Sequence, residues 1–115
     1  KFFPRVEIIL SYAGATAGLI DALLNSGVDG IVVAGVGHGN YSQEIEAGIQ
    51  HCLEQGVFVV RATRVLAGGV TFDVENPFDG QIVSGMLSPQ KARILLMLAL
   101  TRFNTTEQLQ KIFSR

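Results

Sequence analysis

The sequence has few charged side chains, a single cysteine, no tryptophan and no long apolar run. Its formal net charge is −1 and its basic residues are scattered, so no basic stripe is available to neutralise the phosphates of a nucleic acid. The longest apolar run, at residues 94–100, is far shorter than the ~20 residues that a membrane-spanning helix needs. We therefore expect a soluble domain that binds neither nucleic acid nor membrane.

Cysteine and histidine are too scarce for a disulfide or a metal site. Cys52 has no second cysteine to pair with, and its presence alone leaves the redox compartment undetermined. His38 lies between two glycines, and the chain has only one other histidine, so we interpret His38 as a solvated loop residue rather than a ligand. The sequence begins with neither Met nor a signal pattern, which leads us to expect a piece of a longer polypeptide.

What the sequence does have is enough apolar material for one core. Hydrophobic residues make up 48% of the chain and charged residues 17%, a composition unlike that of disordered chains. No internal repeat, low-complexity segment or shift in composition divides the chain. We therefore predict one domain that comprises residues 1–115.

The apolar residues are spaced as in an α/β protein. Three short β-branched runs predict buried parallel strands and a weaker run predicts a fourth, at residues 6–10, 30–34, 57–60 and 81–84. Helical spacing predicts four helices. The first ends at Ser26-Gly27, and the second carries Ile45, Ile49, Cys52 and Leu53 and ends at Gly56. The third is capped by Ser88-Pro89, and the fourth begins with a capping box of Thr105 and Gln108. This order predicts a three-layer α/β domain, with a small, mainly parallel sheet of about four strands flanked by helices.

In such sheets ligands bind beyond the carboxyl ends of the strands, here after Leu10, Ala34 and Val60. The loop at residues 35–40 is rich in glycine, but Asn40 stands where a dinucleotide fingerprint requires glycine, and no Gly-Lys-Ser/Thr ending follows. We therefore expect no cofactor. Asn40 has two open interpretations, a site residue or a helix N-cap whose partner is Gln43.

Several separated segments resemble, in order and spacing, the C-terminal domain of bacterial L-asparaginases of the asparaginase/glutaminase type. They are Ala-Gly-Val-Gly-His-Gly-Asn at 34–40, Val-Val-Arg-Ala-Thr-Arg-Val at 59–65 and Gly-Met-Leu-Ser-Pro-Gln-Lys-Ala-Arg at 85–93, with Val-Asp-Gly-Ile-Val at 28–32 ahead of them. The resemblance extends over nearly the whole chain. The segment at 59–65 is closer to the secreted, high-affinity class, which implies a periplasmic or secreted protein, with a cytoplasmic location as the alternative.

The resemblance implies an amidohydrolase that converts L-asparagine or L-glutamine to the acid and ammonia. Its nucleophilic threonine and that residue's partners belong to an N-terminal domain that this chain lacks, so we assign no catalytic residue here, and none to Thr71. In the family, each active site lies between subunits of a homotetramer and takes an asparagine and a glutamate from a neighbour's C-terminal domain. Asn40 and Glu75 match these two substrate-binding residues, and no metal or cofactor is implied.

Two further alternatives remain open, besides the N-cap interpretation of Asn40. Glu75 lies in a loop that differs from the family pattern, so it can also be an ordinary solvated carboxylate. The chain as a whole can be a stand-alone binding or assembly module that uses the glycine loop for a small anion and its apolar helices for association.

Overall fold

A computed structural model describes residues 3–10, 16–35, 43–63, 81–84 and 87–114. The elements in chain order are β1 (Val6–Leu10), α1 (Thr16–Ser26), β2 (Gly30–Gly35), α2 (Gln43–Glu54), β3 (Phe58–Thr63), β4 (Ile82–Val83), α3 (Pro89–Ala99) and α4 (Thr106–Phe113). The strands form one four-stranded sheet in the order β1-β2-β3-β4, and every neighbouring pair is parallel. The predicted α/β class is confirmed.

The helix ends lie where the sequence predicted them. Gly27 after α1 and Gly56 after α2 have φ angles of +85° and +81°, which only glycine adopts without strain. The Ser88 hydroxyl caps α3 by accepting a hydrogen bond from the Lys91 N–H, and Pro89 occupies the first helical turn, where its missing N–H costs nothing. These local signals therefore determine where three of the helices stop or start.

The capping box of α4 differs in one bond from the predicted form. The Thr105 hydroxyl accepts from the Gln108 N–H at 3.2 Å, as expected. The Gln108 side-chain oxygen, however, accepts from the Asn104 N–H at 3.4 Å instead of from that of Thr105. The cap therefore holds the backbone of Asn104, before the helix, as well as the first turn of α4.

Helices cover both faces of the sheet, and each face has its own core. Side chains alternate along the strands, so even-numbered positions of β1, β2 and β3 face α3 and α4 while odd-numbered positions face α1 and α2. The first core comprises Val6, Val32, Val60, Ala62, Ile82, Ala92, Leu96, Ala99, Leu109 and Phe113. The second comprises Ile9, Ile20, Val28, Ile31, Val33, Ile49, Cys52, Val57 and Val59.

The β4 edge of the sheet is closed by a side chain from α4. Ser84 donates its N–H to the Arg61 carbonyl on β3, so the N–H and C=O of Val83, one residue earlier, point away from the sheet. The amide of Gln110 meets both groups: its Oε1 accepts from Val83 N at 2.8 Å and its Nε2 donates to Val83 O at 3.2 Å. Among the described residues, the Gln110 side chain thus makes the two hydrogen bonds that a neighbouring strand would otherwise make with Val83.

We expect Gln110→Ala to lower the free energy of unfolding by ~1–3 kcal/mol, because it leaves two partly buried backbone groups without partners. Chemical denaturation monitored by circular dichroism measures the change. Gln90→Ala is the matched control, since Gln90 lies exposed on α3 and should shift stability by less than about 0.5 kcal/mol. Equal effects of the two substitutions would show that the hydrogen bonds between Gln110 and Val83 contribute nothing to the free energy of unfolding.

Candidate functional site

The carboxyl ends of the three long strands form one level edge. Leu10, Ala34 and Ala62 lie side by side in the pairing of β1, β2 and β3, and Gly35 lies beside Thr63. The segments that leave these strands therefore start next to one another. This is the edge at which parallel sheets bind ligands, because backbone turns leave the strands there.

The predicted site residues belong to the segments that follow this edge. Asn40 comes after β2 and Glu75 after β3, and these two strands are direct neighbours. Both residues lie outside the described ranges, as do His38 and Thr71. Their assignment stays a prediction, and so does the alternative of Asn40 as a helix cap.

Strand β3 continues further than predicted, through a buried arginine. The sequence suggested a strand that ended at Val60, but Arg61 pairs with Val33 on one side and with Val83 on the other. Its exposure is only 2%, which is unusual for a charged side chain. The sequence predicted Arg61 only as part of the segment that resembles the family. An arginine directly after a β-branched run is the signal that could have indicated its burial.

Two further buried polar side chains flank β4, the strand beside Arg61. Ser84 is completely buried and Gln81 is 6% exposed. The Ser84 hydroxyl and both amide atoms of Gln81 have no hydrogen-bond partner in the part of the chain that the structure describes. Burial of polar atoms without hydrogen bonds costs free energy of folding. Arg61, Gln81 and Ser84 therefore make the β3–β4 side a polar region within an otherwise apolar sheet.

The lone thiol of Cys52 is not available for nucleophilic chemistry at neutral pH. Burial, and next the negative charge of Asp21, raise the pKa of Cys52 from 9.0 to about 11. The protonated thiol therefore packs in the core formed with α1 and α2. Because the folded pKa is the higher one, stability from this group is complete below pH 9 and is lost as the pH rises toward about 11.

The described residues contain no group of three His, Cys, Asp or Glu side chains that could hold a metal ion. His51 on α2 places its Nδ1 4.0 Å from the Asp21 Oδ1 on α1, and both side chains are more than half exposed. No described helix is long and apolar enough to cross a membrane.

A groove of about 530 Å³ opens at the opposite edge of the sheet, where the strands begin. Its lining includes Phe3, Asp29, Phe58, Phe103 and Asn104. The Asp29 carboxylate accepts a hydrogen bond from the Arg5 N–H at 2.7 Å and so joins the start of β1 to the start of β2. We interpret this groove as separate from the candidate site, because the strands lie between it and the carboxyl edge.

Comparison with models of protein families identifies the family of this chain. The model of the Glutaminase/Asparaginase C-terminal domain matches residues 5–113, which includes every described helix and strand. The chain belongs to this family. The family that the sequence resembles is therefore confirmed for this asparaginase C-terminal domain.

Curated relatives of this asparaginase C-terminal domain are much longer than the chain. It is 42% identical to L-asparaginase 2 of Escherichia coli over 97% of the chain and 33% of that protein. It is 38% identical to the glutaminase-asparaginase of Pseudomonas fluorescens over 98% of the chain and 32% of that protein. The chain thus spans about a third of the length of the relatives it matches.

Solved structures give the same picture of the fold. A probable cytoplasmic L-asparaginase from Campylobacter jejuni matches with a TM-score of 0.90 and 38% identity, over 98% of this chain and 37% of that one. Among the curated sequences, a probable periplasmic L-asparaginase from Haemophilus influenzae is 42% identical over 96% of the chain and 32% of that protein. Similar proteins are thus described for both compartments, and the asparaginase C-terminal domain is compatible with either.

Proposed function

We propose that this chain is the C-terminal domain of an amidohydrolase that converts L-asparagine or L-glutamine to the corresponding acid and ammonia. The observation that carries the proposal is the family match over residues 5–113, together with relatives that are asparaginases and glutaminase-asparaginases. Those relatives are about three times as long as the chain. The rest of the amidohydrolase would supply the nucleophilic threonine and its proton path.

The role proposed for this domain is substrate recognition. Glu75 would present a carboxylate to the α-ammonium of the substrate, and Asn40 would donate and accept hydrogen bonds within the site. The level ends of β2 and β3 support this pairing, because the two residues follow neighbouring strands at the edge where ligands bind. Correct orientation of the substrate lowers the entropy that must be lost on the way to the transition state.

The proposal includes two protein partners. One is the N-terminal domain of the same amidohydrolase, and the other is a neighbouring subunit whose active site this domain would complete, within a homotetramer. The resemblance also favours a periplasmic or secreted location over a cytoplasmic one. No cofactor or metal ion is part of the proposed reaction.

Substitution of Glu75 by glutamine in the longer protein tests the proposed contact. Glu75→Gln keeps the volume and removes the charge, and charge-assisted hydrogen bonds are about twice as strong as neutral ones, so we expect a loss of roughly fivefold in kcat/KM for L-asparagine. The kcat/KM for an analogue without the α-amino group should be nearly unchanged, since this analogue has no ammonium for Glu75 to contact. Ammonia release from both substrates is the measurement.

Glu54→Gln is the matched control, because Glu54 is exposed at the end of α2, the element that follows the glycine loop. It should leave both substrates unaffected. Equal losses for L-asparagine and the analogue after Glu75→Gln would indicate general damage to the loop, and no loss for either would remove Glu75 from the site. Absence of any ammonia release by the unmodified longer protein would end the proposal itself.

A further inference from the structure

Gln81 carries a buried amide at the start of β4. The residue is only 6% exposed, yet neither its Oε1 nor its Nε2 has a hydrogen-bond partner among the described residues. Burial of such an amide costs free energy of folding, and polar groups that are kept at such a cost are typical of functional regions. Stability of the domain therefore does not explain why a glutamine occupies this position.

Gln81 lies on the same face of the sheet as the buried Arg61. In the register of β3 and β4, Arg61 pairs with Val83. Because side chains alternate along a strand, Gln81 shares the face of Arg61 and Val83, whereas Ser84 lies on the opposite face. The face of Gln81 is the one that α1 and α2 cover over β1, β2 and β3, but the core formed with these helices includes no residue of β4. Gln81 thus lies beyond the end of that core.

The connection from β3 to β4 contains Glu75, and Gln81 is the residue at which this connection enters β4. Connections between adjacent parallel strands are almost always right-handed, so those that step in one direction across a sheet share one face. α1 and α2 follow this rule, since they join β1 to β2 and β2 to β3 and pack on the same face. β4 continues the same direction. The rule therefore predicts that the connection with Glu75 crosses the face of Gln81.

We propose that Gln81 is a positioning residue for Glu75, through hydrogen bonds between its buried amide and the backbone of the connection from β3 to β4. The inference rests on the proposed function, in which Glu75 contacts the α-ammonium of the substrate. A primary amide both donates and accepts, so one side chain can hold an N–H and a C=O of the backbone. Gln110 holds Val83 in this way, at 2.8 and 3.2 Å. A carboxylate on a backbone that is already held meets the substrate at a smaller entropy cost.

Gln81→Met in the longer protein tests the inference, because methionine is similar to glutamine in length and volume but lacks the amide. The kcat/KM for L-asparagine should fall roughly threefold, since a carboxylate that is no longer held keeps only part of its contact. The kcat/KM for the analogue without the α-amino group should be unchanged. In a Glu75→Ala background the substitution should cost nothing further, because no side chain remains to be positioned. Gln81→Leu, measured in parallel, should give the same pattern.

Ser84→Ala is the matched control, because the Ser84 hydroxyl is also buried without a partner among the described residues but lies on the opposite face of the sheet. It should leave kcat/KM for both substrates unchanged.

Four results would each overturn the inference: no loss after Gln81→Met, equal losses for the two substrates, an equal loss after Ser84→Ala, or an additive loss in the Glu75→Ala background. If Glu75→Ala alone leaves kcat/KM unchanged, the proposed contact of Glu75 fails and the inference fails with it. An effect of Glu75→Ala without any effect of Gln81→Met overturns the inference alone.

Discussion

The 115-residue chain by itself is expected to release no ammonia from L-asparagine or L-glutamine. Under the proposed function, the nucleophile and its proton path would belong to a part of the longer protein outside this chain, and orientation of a substrate without an attacking group gives no reaction. The expected effect is a complete loss of turnover relative to the longer protein. A coupled assay for ammonia, with a buffer blank, is the measurement.

The comparison requires that the chain be folded, so circular dichroism and a cooperative thermal transition should accompany the assay. The longer protein, assayed in parallel at the same molar concentration, is the positive control. Turnover by the folded chain above the blank would contradict the division of labour between the two domains. It would mean that this domain carries a nucleophile that we have not assigned.

Substitution of Asn40 by alanine in the longer protein is expected to lower kcat/KM by roughly 5- to 150-fold. Loss of one hydrogen-bonding partner in a closed site costs ~1–3 kcal/mol, which corresponds to this range of rates. The melting temperature should change little, because the lost bonds would be made to the substrate and its surroundings. Steady-state kinetics and a thermal melt on the same preparation are the two measurements.

Asn25→Ala is a suitable control for Asn40→Ala, since Asn25 is exposed near the end of α1, away from the carboxyl edge. It should preserve both the kinetics and the melting temperature. An Asn40→Ala protein that melts early but keeps its kinetics would identify Asn40 as the N-cap of α2, the alternative interpretation of the loop. The two interpretations therefore differ in which of the two measurements changes.

The local sequence predicted most of the elements of the fold. Ser88 and Pro89 identify the start of α3 because a hydroxyl cap and a missing N–H act within one helical turn. Gly27 and Gly56 identify helix ends because the left-handed conformation there is a property of a single residue. The family was also predicted, since its motifs are contiguous stretches of sequence. Asn40 and Glu75 stay predictions, as both lie outside the described residues.

The sequence by itself determined the α/β class, the boundaries of most elements and the family, because these depend on interactions between neighbours along the chain. Only the tertiary structure decided how the sheet ends. Arg93 reaches the Val6 carbonyl across 87 positions, and Gln110 reaches Val83 across 27. Such contacts leave no periodic pattern, because each depends on which strand became an edge. The burial of Arg61 has the same origin, because strand order determines which side chains are covered.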